Sequence, residues 1–175
     1  MDGANRMQGM IRDLLVYSRV NTQAQPLKPT AMQKVYDTAL LNLQQAIADS
    51  NAVITCDPLP EVLGHDIQLV QLLQNLIGNA IKFRDGGPPA VHVGVADREG
   101  LWCFAVKDNG IGIDMQYKER IFLIFQRLHG REKYSGSGIG LAVCKKIVEQ
   151  HGGGIWLDSA PEKGSTFYFT LQKAA

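Results

Sequence analysis

Apolar residues three and four positions apart mark the helices of this chain, and strictly alternating ones mark its strands. Met7, Met10, Ile11, Leu14 and Leu15 form one stripe and predict an amphipathic helix over residues 4–19. Residues 21–30, with Pro26 and Pro29 among polar neighbours, read as a linker. A second helix is expected over 31–49, with Leu40, Leu43 and Ile47 on its buried side. Ala52–Cys56 alternates as a short strand, and Asp57-Pro58-Leu59-Pro60 ends it. The strongest helix runs from Asp66 to Phe83. Asp66 suits the positive end of its dipole, and Arg84-Asp85-Gly86-Gly87-Pro88-Pro89 stops it. Val91, Val93 and Val95 predict a strand, Leu101–Val106 a second, and the turn between them a hairpin. The Gly-rich stretch Asp108–Gly140 holds only a short helix near Lys118–Phe122, and so long a loop in a compact domain is usually functional. A helix over 139–150 and strands over 154–158 and 165–171 close the chain. Strands following helices in this order predict an α+β or mixed α/β domain of two layers.

Composition excludes more than it proposes. A length of 175 residues suits one domain with a short appendage, and 45% hydrophobic with 20% charged residues argues against disorder. Basic and acidic residues number 18 and 17, so no net field favours a polyphosphate backbone, and nucleic acid is not an expected partner. No apolar run approaches the ~20 residues of a membrane span, and no apolar signal core follows Met1. Neither membrane contact nor secretion is therefore expected. Cys56, Cys103 and Cys144 lie far apart and offer no CxxC pair or disulfide framework, which suits a reducing cytoplasm.

Four short stretches could carry chemistry. Asn75, Asn79 and Lys82 share one face of the 66–83 helix, opposite Leu73, Ile77, Ala80 and Ile81. Such a face is either simply solvated or a site where amide oxygens ligate Mg²⁺ and an ammonium meets phosphate. Asp108-Asn109-Gly110-Ile111-Gly112 follows a strand. It is either an Asx corner or a loop whose glycines allow close ligand approach, with Asp108 accepting from the exocyclic amine of a base. Gly136-Ser137-Gly138-Ile139-Gly140-Leu141 opens a helix and could hold an anion on its free N–H groups, or be only a flexible turn. It is neither a dinucleotide fingerprint nor a P-loop, since no short strand feeds it and no Gly-Lys-Ser/Thr occurs. Gly164-Ser165-Thr166-Phe167 by itself means a turn and a strand start.

Their order is more telling than any one of them. The helix with Asn75, Asn79 and Lys82 comes first, then the Asp108-x-Gly110-x-Gly112 loop. Glu119-Arg120-Ile121-Phe122-x-x-Phe125-x-Arg127, Gly136-x-Gly138-x-Gly140-Leu141 and Gly164-Ser165-Thr166-Phe167 follow. This series resembles the ATP-binding catalytic domain of sensor histidine kinases, within the wider group shared with gyrase, Hsp90 and MutL. It covers about residues 30–173. The leading Arg6-Met7-Gln8-x-Met10-Ile11-x-Asp13-Leu14-Leu15-x-Tyr17-Ser18-Arg19 is similar to the second helix of the dimerisation and phosphoacceptor hairpin. Leu128-His129-Gly130-Arg131 and Cys144-Lys145-Lys146-Ile147-Val148-Glu149 resemble kinases of phytochrome-like or PAS-containing type.

The resemblance implies a two-layer α/β sandwich, a mixed sheet covered by helices, preceded by one helix. It divides the chain into residues 1–25, the end of the hairpin, and 26–175, the ATP-binding domain. It implies that Asp108 reads adenine, supported through a water by Thr166, with Gly110 and Gly112 shaping the base pocket. Asn79 would ligate Mg²⁺, with Asn75 beside it and Lys82 on phosphate oxygens. Gly136, Ser137, Gly138, Ile139, Gly140 and Leu141 would hinge a lid and meet the triphosphate, and Phe122 and Phe125 would anchor that lid. Arg127 and Lys82 would serve the transferring phosphoryl group. Hydrolytic relatives carry a glutamate where Asn75 stands, so its absence favours transfer to another acceptor over hydrolysis. The family's acceptor histidine lies on the first hairpin helix, and His65, His92, His129 and His151 have no such setting. The expected activity is therefore that of a histidine kinase domain acting on a hairpin of the same protein or its dimer partner, for relay to a response-regulator receiver domain. The other reading is an adenine-nucleotide-binding module that serves as a sensor or scaffold without catalysis.

Overall fold

The computed structural model describes residues 26–84, 86–126, 128 and 137–174, together with Leu15. The helix expected over 4–19 thus lies, Leu15 apart, outside the described residues. Seven strands are described: β1 (Lys28–Ala31), β2 (Val53–Cys56), β3 (Glu61–Gly64), β4 (Ala90–Arg98), β5 (Leu101–Asp108), β6 (Ile155–Ser159) and β7 (Ser165–Gln172). Leu15 apart, the α-helices among the described residues are α1 (Met32–Asn42), α2 (Gln44–Ser50), α3 (Asp66–Lys82) and α4 (Gly140–Gln150).

The main sheet has the order β2-β4-β5-β7-β6, with β2 parallel to β4 and every other pair antiparallel. Alternation decides which face is covered. Val91, Val93, Phe104, Val106, Phe167 and Phe169 are buried on one side, together with the apolar faces of α1, α3 and α4. His92, Lys107 and Thr166 occupy the other side, in register across β4, β5 and β7. This is the expected α+β, two-layer arrangement. Phe104 stacks on Phe169 at 5.0 Å between ring centroids, joining β5 to β7 at the centre. The β4–β5 hairpin turns on Glu99 and Gly100 at φ 50° and 87°, a two-residue turn whose twist matches that of the strands.

Three sequence expectations are corrected. The stretch read as a linker contains β1, which pairs antiparallel with β3 from Lys28↔Gly64 to Ala31↔Glu61. Both strands have only four residues, too few for alternation to register, and β3 follows two prolines. The helix expected over 31–49 breaks at Leu43 (φ −99°, ψ 3°). Its deeply buried residues are Met32, Val35, Tyr36 and Ala39, while Leu40, Leu43 and Ile47 are only partly buried. Both stripes of α1 are apolar, and the break leaves the first to lie against α3. Finally, the helix near Lys118–Phe122 is two 3₁₀ turns, Met115–Tyr117 and Arg120–Phe122.

His151 locks the ends of α3 and α4 together. It is fully buried, its Nδ1 donates to the Ile147 carbonyl at 2.7 Å, and its Nε2 accepts from the His65 N–H at 3.0 Å. Burial holds its pKa below the usual histidine range, against the pull of the Ile147 carbonyl, and the neighbouring His65 lowers it further. A histidine kept neutral in the fold but free to protonate when unfolded costs stability only on the acid side. Unfolding free energy is therefore expected to hold steady above pH ~6.5 and to fall below it by up to ~1.4 kcal/mol per pH unit. Urea titrations across that range check this, and His151→Gln should remove the dependence.

Candidate functional site

α3 turns Leu69, Leu72, Leu73, Leu76, Ile77, Ala80 and Ile81 into the core. The helical period then leaves Gln71, Asn75 and Asn79 at four-residue intervals on the remaining face, followed by Lys82. All four line a cavity of about 290 Å³. Asp108, Ile111, Gly112 and Ile113 form a second wall, with Ser165 and Phe167 of β7, and residues 137–141 at the start of α4 form a third. The lining is apolar apart from a few groups of defined geometry, the usual form of a small-molecule site.

Asp108 closes one end. Its Oδ1 accepts from the Gly110 N–H at 2.8 Å and from the Ser165 N–H at 3.1 Å. The Asx corner is therefore formed, and the carboxyl also faces the cavity. Burial pushes its pKa above the usual carboxylate range, while the two N–H donors pull it back. The loop after it is fixed from three sides. Ile111 N–H donates to the Phe83 carbonyl at 3.1 Å, and the Ile111 carbonyl accepts from Glu162 N–H at 2.8 Å. Ile113 N–H donates to Ser159 Oγ at 2.8 Å. Ser159 in turn donates to the Gly164 carbonyl and contacts Ser165 Oγ at 2.9 Å, so one hydroxyl ties the loop to the β6–β7 corner. Gly112 (φ 70°) lies so close to Ala160 that a Cβ would run into its carbonyl.

The third wall is a helix start. Gly138 takes φ 76°, Ile139 is the N-cap, and the first-turn N–H groups of α4 have no intrahelical acceptor. Asn75 Nδ2 donates to the Gly140 carbonyl at 3.4 Å, linking α3 to this turn. The Lys82 ammonium lies 4.6 Å from the Phe83 ring centroid. Cys144 is fully buried beneath Asn75, and burial pushes its thiol up to about 12, so it is no nucleophile at neutral pH.

Asn75, Asn79, Lys82, Asp108, Gly112, Ser137, Gly138, Ile139, Gly140 and Leu141 are thus brought to one cavity. Gly110 is outside the lining, and its N–H holds Asp108. Thr166 is also outside it. Alternate side chains of β7 take opposite faces, which puts Thr166 with Lys107, and it is the backbone N–H of its neighbour Ser165 that donates to Asp108. Arg127 and Gly136 lie outside the described residues. Phe122 is buried edge-on to Phe167 (6.5 Å, 89°), as expected of an anchor. Phe125 is not, being 48% exposed with φ 61°, a left-handed turn that directs it away from the core. Sequence reasoning missed Gln71, Ser159 and Ser165. Gln71 was detectable from its spacing to Asn75, whereas the two serines gain their roles only through sheet register.

Residues 64–175 match the family described as histidine kinase-, DNA gyrase B-, and HSP90-like ATPase. The chain belongs to this family. As a histidine-kinase-type ATPase domain it is 53% identical over 171 residues to cyanobacterial phytochrome A of Nostoc sp., covering 98% of this chain and 22% of that protein. It is 52% identical over 169 residues to phytochrome-like protein Cph1 of Synechocystis sp., covering 97% and 23%. The chain therefore spans less than a quarter of the length of these relatives, and their kind agrees with the phytochrome-like subtype expected from residues 128–131 and 144–149. Among solved structures, the mycobacterial sensor histidine kinase MprB is similar with a TM-score of 0.71 and 26% identity, covering 85% of this chain and 99% of that one. In this ATPase domain the cavity lies between the covering helices α3 and α4 and the ends of β5 and β7.

Proposed function

We propose that this domain binds Mg·ATP in the cavity and transfers the γ-phosphoryl group to a histidine outside the chain, on a dimerisation hairpin, for relay to a response-regulator receiver domain. The observation that carries the reading is the half-buried Asp108 carboxylate at the end of a cavity whose other walls are an amide-bearing helix face and a helix N-terminus. Asp108 accepts from the exocyclic amine of adenine, and Ser165 and Gly110 hold it in place. The start of α4 and Lys82 receive the phosphates. Asn79 offers an amide oxygen, a hard donor that would suit Mg²⁺. The metal neutralises phosphate charge when bound. Arg127 is assigned to the γ-phosphate, where a guanidinium stabilises charge on the group in flight.

Asn75 bears on the choice between transfer and hydrolysis. A carboxamide cannot take a proton from water, and here it donates to Gly140 instead, so the position supplies no base. The histidines among the described residues do not suit the acceptor role. His151 is buried, His65 adjoins it, and His92 lies 2.9 Å from Thr55 Oγ1 on the uncovered face of the sheet. Among the described residues, no helix is long and apolar enough to cross a membrane, and a cytoplasmic location belongs to the same proposal.

The test is incubation of the chain with γ-labelled ATP and a separately supplied hairpin from a phytochrome-like kinase. Acid-labile label on the hairpin histidine is the expected result. Label on the chain itself would contradict the account, and an unlabelled hairpin with intact nucleotide binding would make the domain a sensor or scaffold. Nucleotide affinity is also expected to be flat near neutral pH. It should weaken on acidification at a higher pH than an ordinary carboxylate would give, because Asp108 protonates early and loses acceptor capacity. Titration calorimetry across the acid range checks this, and Asp108→Asn should abolish the dependence.

A further inference from the structure

The amide-bearing face of α3 continues past Asn75. Gln71 precedes Asn75 by four residues, as Asn75 precedes Asn79, and all three line the same wall of the cavity. The direction of that wall is fixed by its other end, where the Phe83 carbonyl after α3 accepts from Ile111 in the loop that follows Asp108. Lys82 and Asn79 are therefore nearest the Asp108 end, and Gln71 lies ~12 Å from Asn79 along the helix axis in the opposite direction. Gln74 accepts from Asn42 and Gln68 donates to Gln150, both outside the cavity. Gln71 is half-buried, lines the cavity, and has no hydrogen-bond partner among the described residues. Gly140 and Leu141, at the N-terminus of α4, line this cavity with it. The ligand group that fits a carboxamide donor and free helix N–H groups together is an anion at the end remote from the base.

We propose that Gln71 donates from Nε2 to the terminal phosphate of a bound nucleoside triphosphate, and so distinguishes triphosphate from diphosphate. This rests on the nucleotide reading given above. A neutral donor suits the place. It adds a hydrogen bond that ADP cannot make, without a fixed positive charge that would also hold a diphosphate.

The experiment is calorimetric titration of the full chain with Mg·ADP and with a non-hydrolysable Mg·ATP analogue, for the unaltered protein and for Gln71→Leu, which keeps the bulk and removes the amide. The variant should bind the triphosphate analogue about tenfold or more weakly while its ADP affinity stays within about twofold and its thermal midpoint is unchanged. Gln71→Glu, which places a carboxylate against the phosphate, should weaken the analogue further and spare ADP more. Equal weakening of both nucleotides by Gln71→Leu, or no change in either, would overturn the assignment and leave the nucleotide site standing. Failure of the unaltered chain to bind either nucleotide would overturn both.

Discussion

Asp108→Asn should weaken binding of an ATP analogue by about 10- to 150-fold, the equivalent of losing ~1.5–3 kcal/mol from a charge-assisted hydrogen bond, while the domain stays folded. The geometry explains the separation. The Gly110 and Ser165 N–H groups both donate to Oδ1, and an asparagine carbonyl turned the same way keeps both. Its NH₂ then stands where the carboxylate offered its second oxygen, and a donor faces the donor of the base. Stability is retained because the protein's own bonds are retained. Calorimetric titration beside thermal unfolding checks the pair of outcomes, and parental affinity in the variant would remove adenine from Asp108.

Gly112→Ala should do the reverse and damage the fold first. At φ 70° an alanine is strained, and its Cβ would run into the Ala160 carbonyl, which is backbone and cannot swing aside. The loop has no slack to absorb this, since Ile111 is tied to Phe83 and Glu162 and Ile113 to Ser159. A loss of ~2–5 kcal/mol is expected, combining left-handed strain with overpacking. Gly154→Ala is the control, because nothing lies within 4 Å of a Cβ there and its backbone is ordinary. Its effect should stay within about ±0.5 kcal/mol. Urea unfolding of the two variants separates them, and equal stabilities would contradict the close approach.

Local signals account for what the sequence made legible. α3 spans 17 residues with one continuous apolar face, a start at Asp66 and a Gly-Pro stop, so its limits and its polar face were readable from spacing alone. The hairpin of β4 and β5 was readable because alternation and turn residues agree. β1 and β3 were not, since four-residue strands gain their identity from pairing with a distant stretch of chain, as Thr30 with Val62 shows. The buried side of α1 was misassigned because two apolar stripes competed and the break at Leu43 decided between them. In the site, glycines and amides were visible at their spacings, but Ser159 and Ser165 acquire meaning only when β6 and β7 meet. Thr166 shows the same limit from the other side, since one step along a strand exchanges the two faces.

Asp108, the α3 amide face and the start of α4 are proposed to form one Mg·ATP site. Calorimetric titration of the chain with a non-hydrolysable ATP analogue, with and without Mg²⁺, tests it most directly. Magnesium-dependent binding that Asp108→Asn weakens by about 10- to 150-fold is the expected result. Absence of binding, or binding undiminished by that substitution, would contradict it.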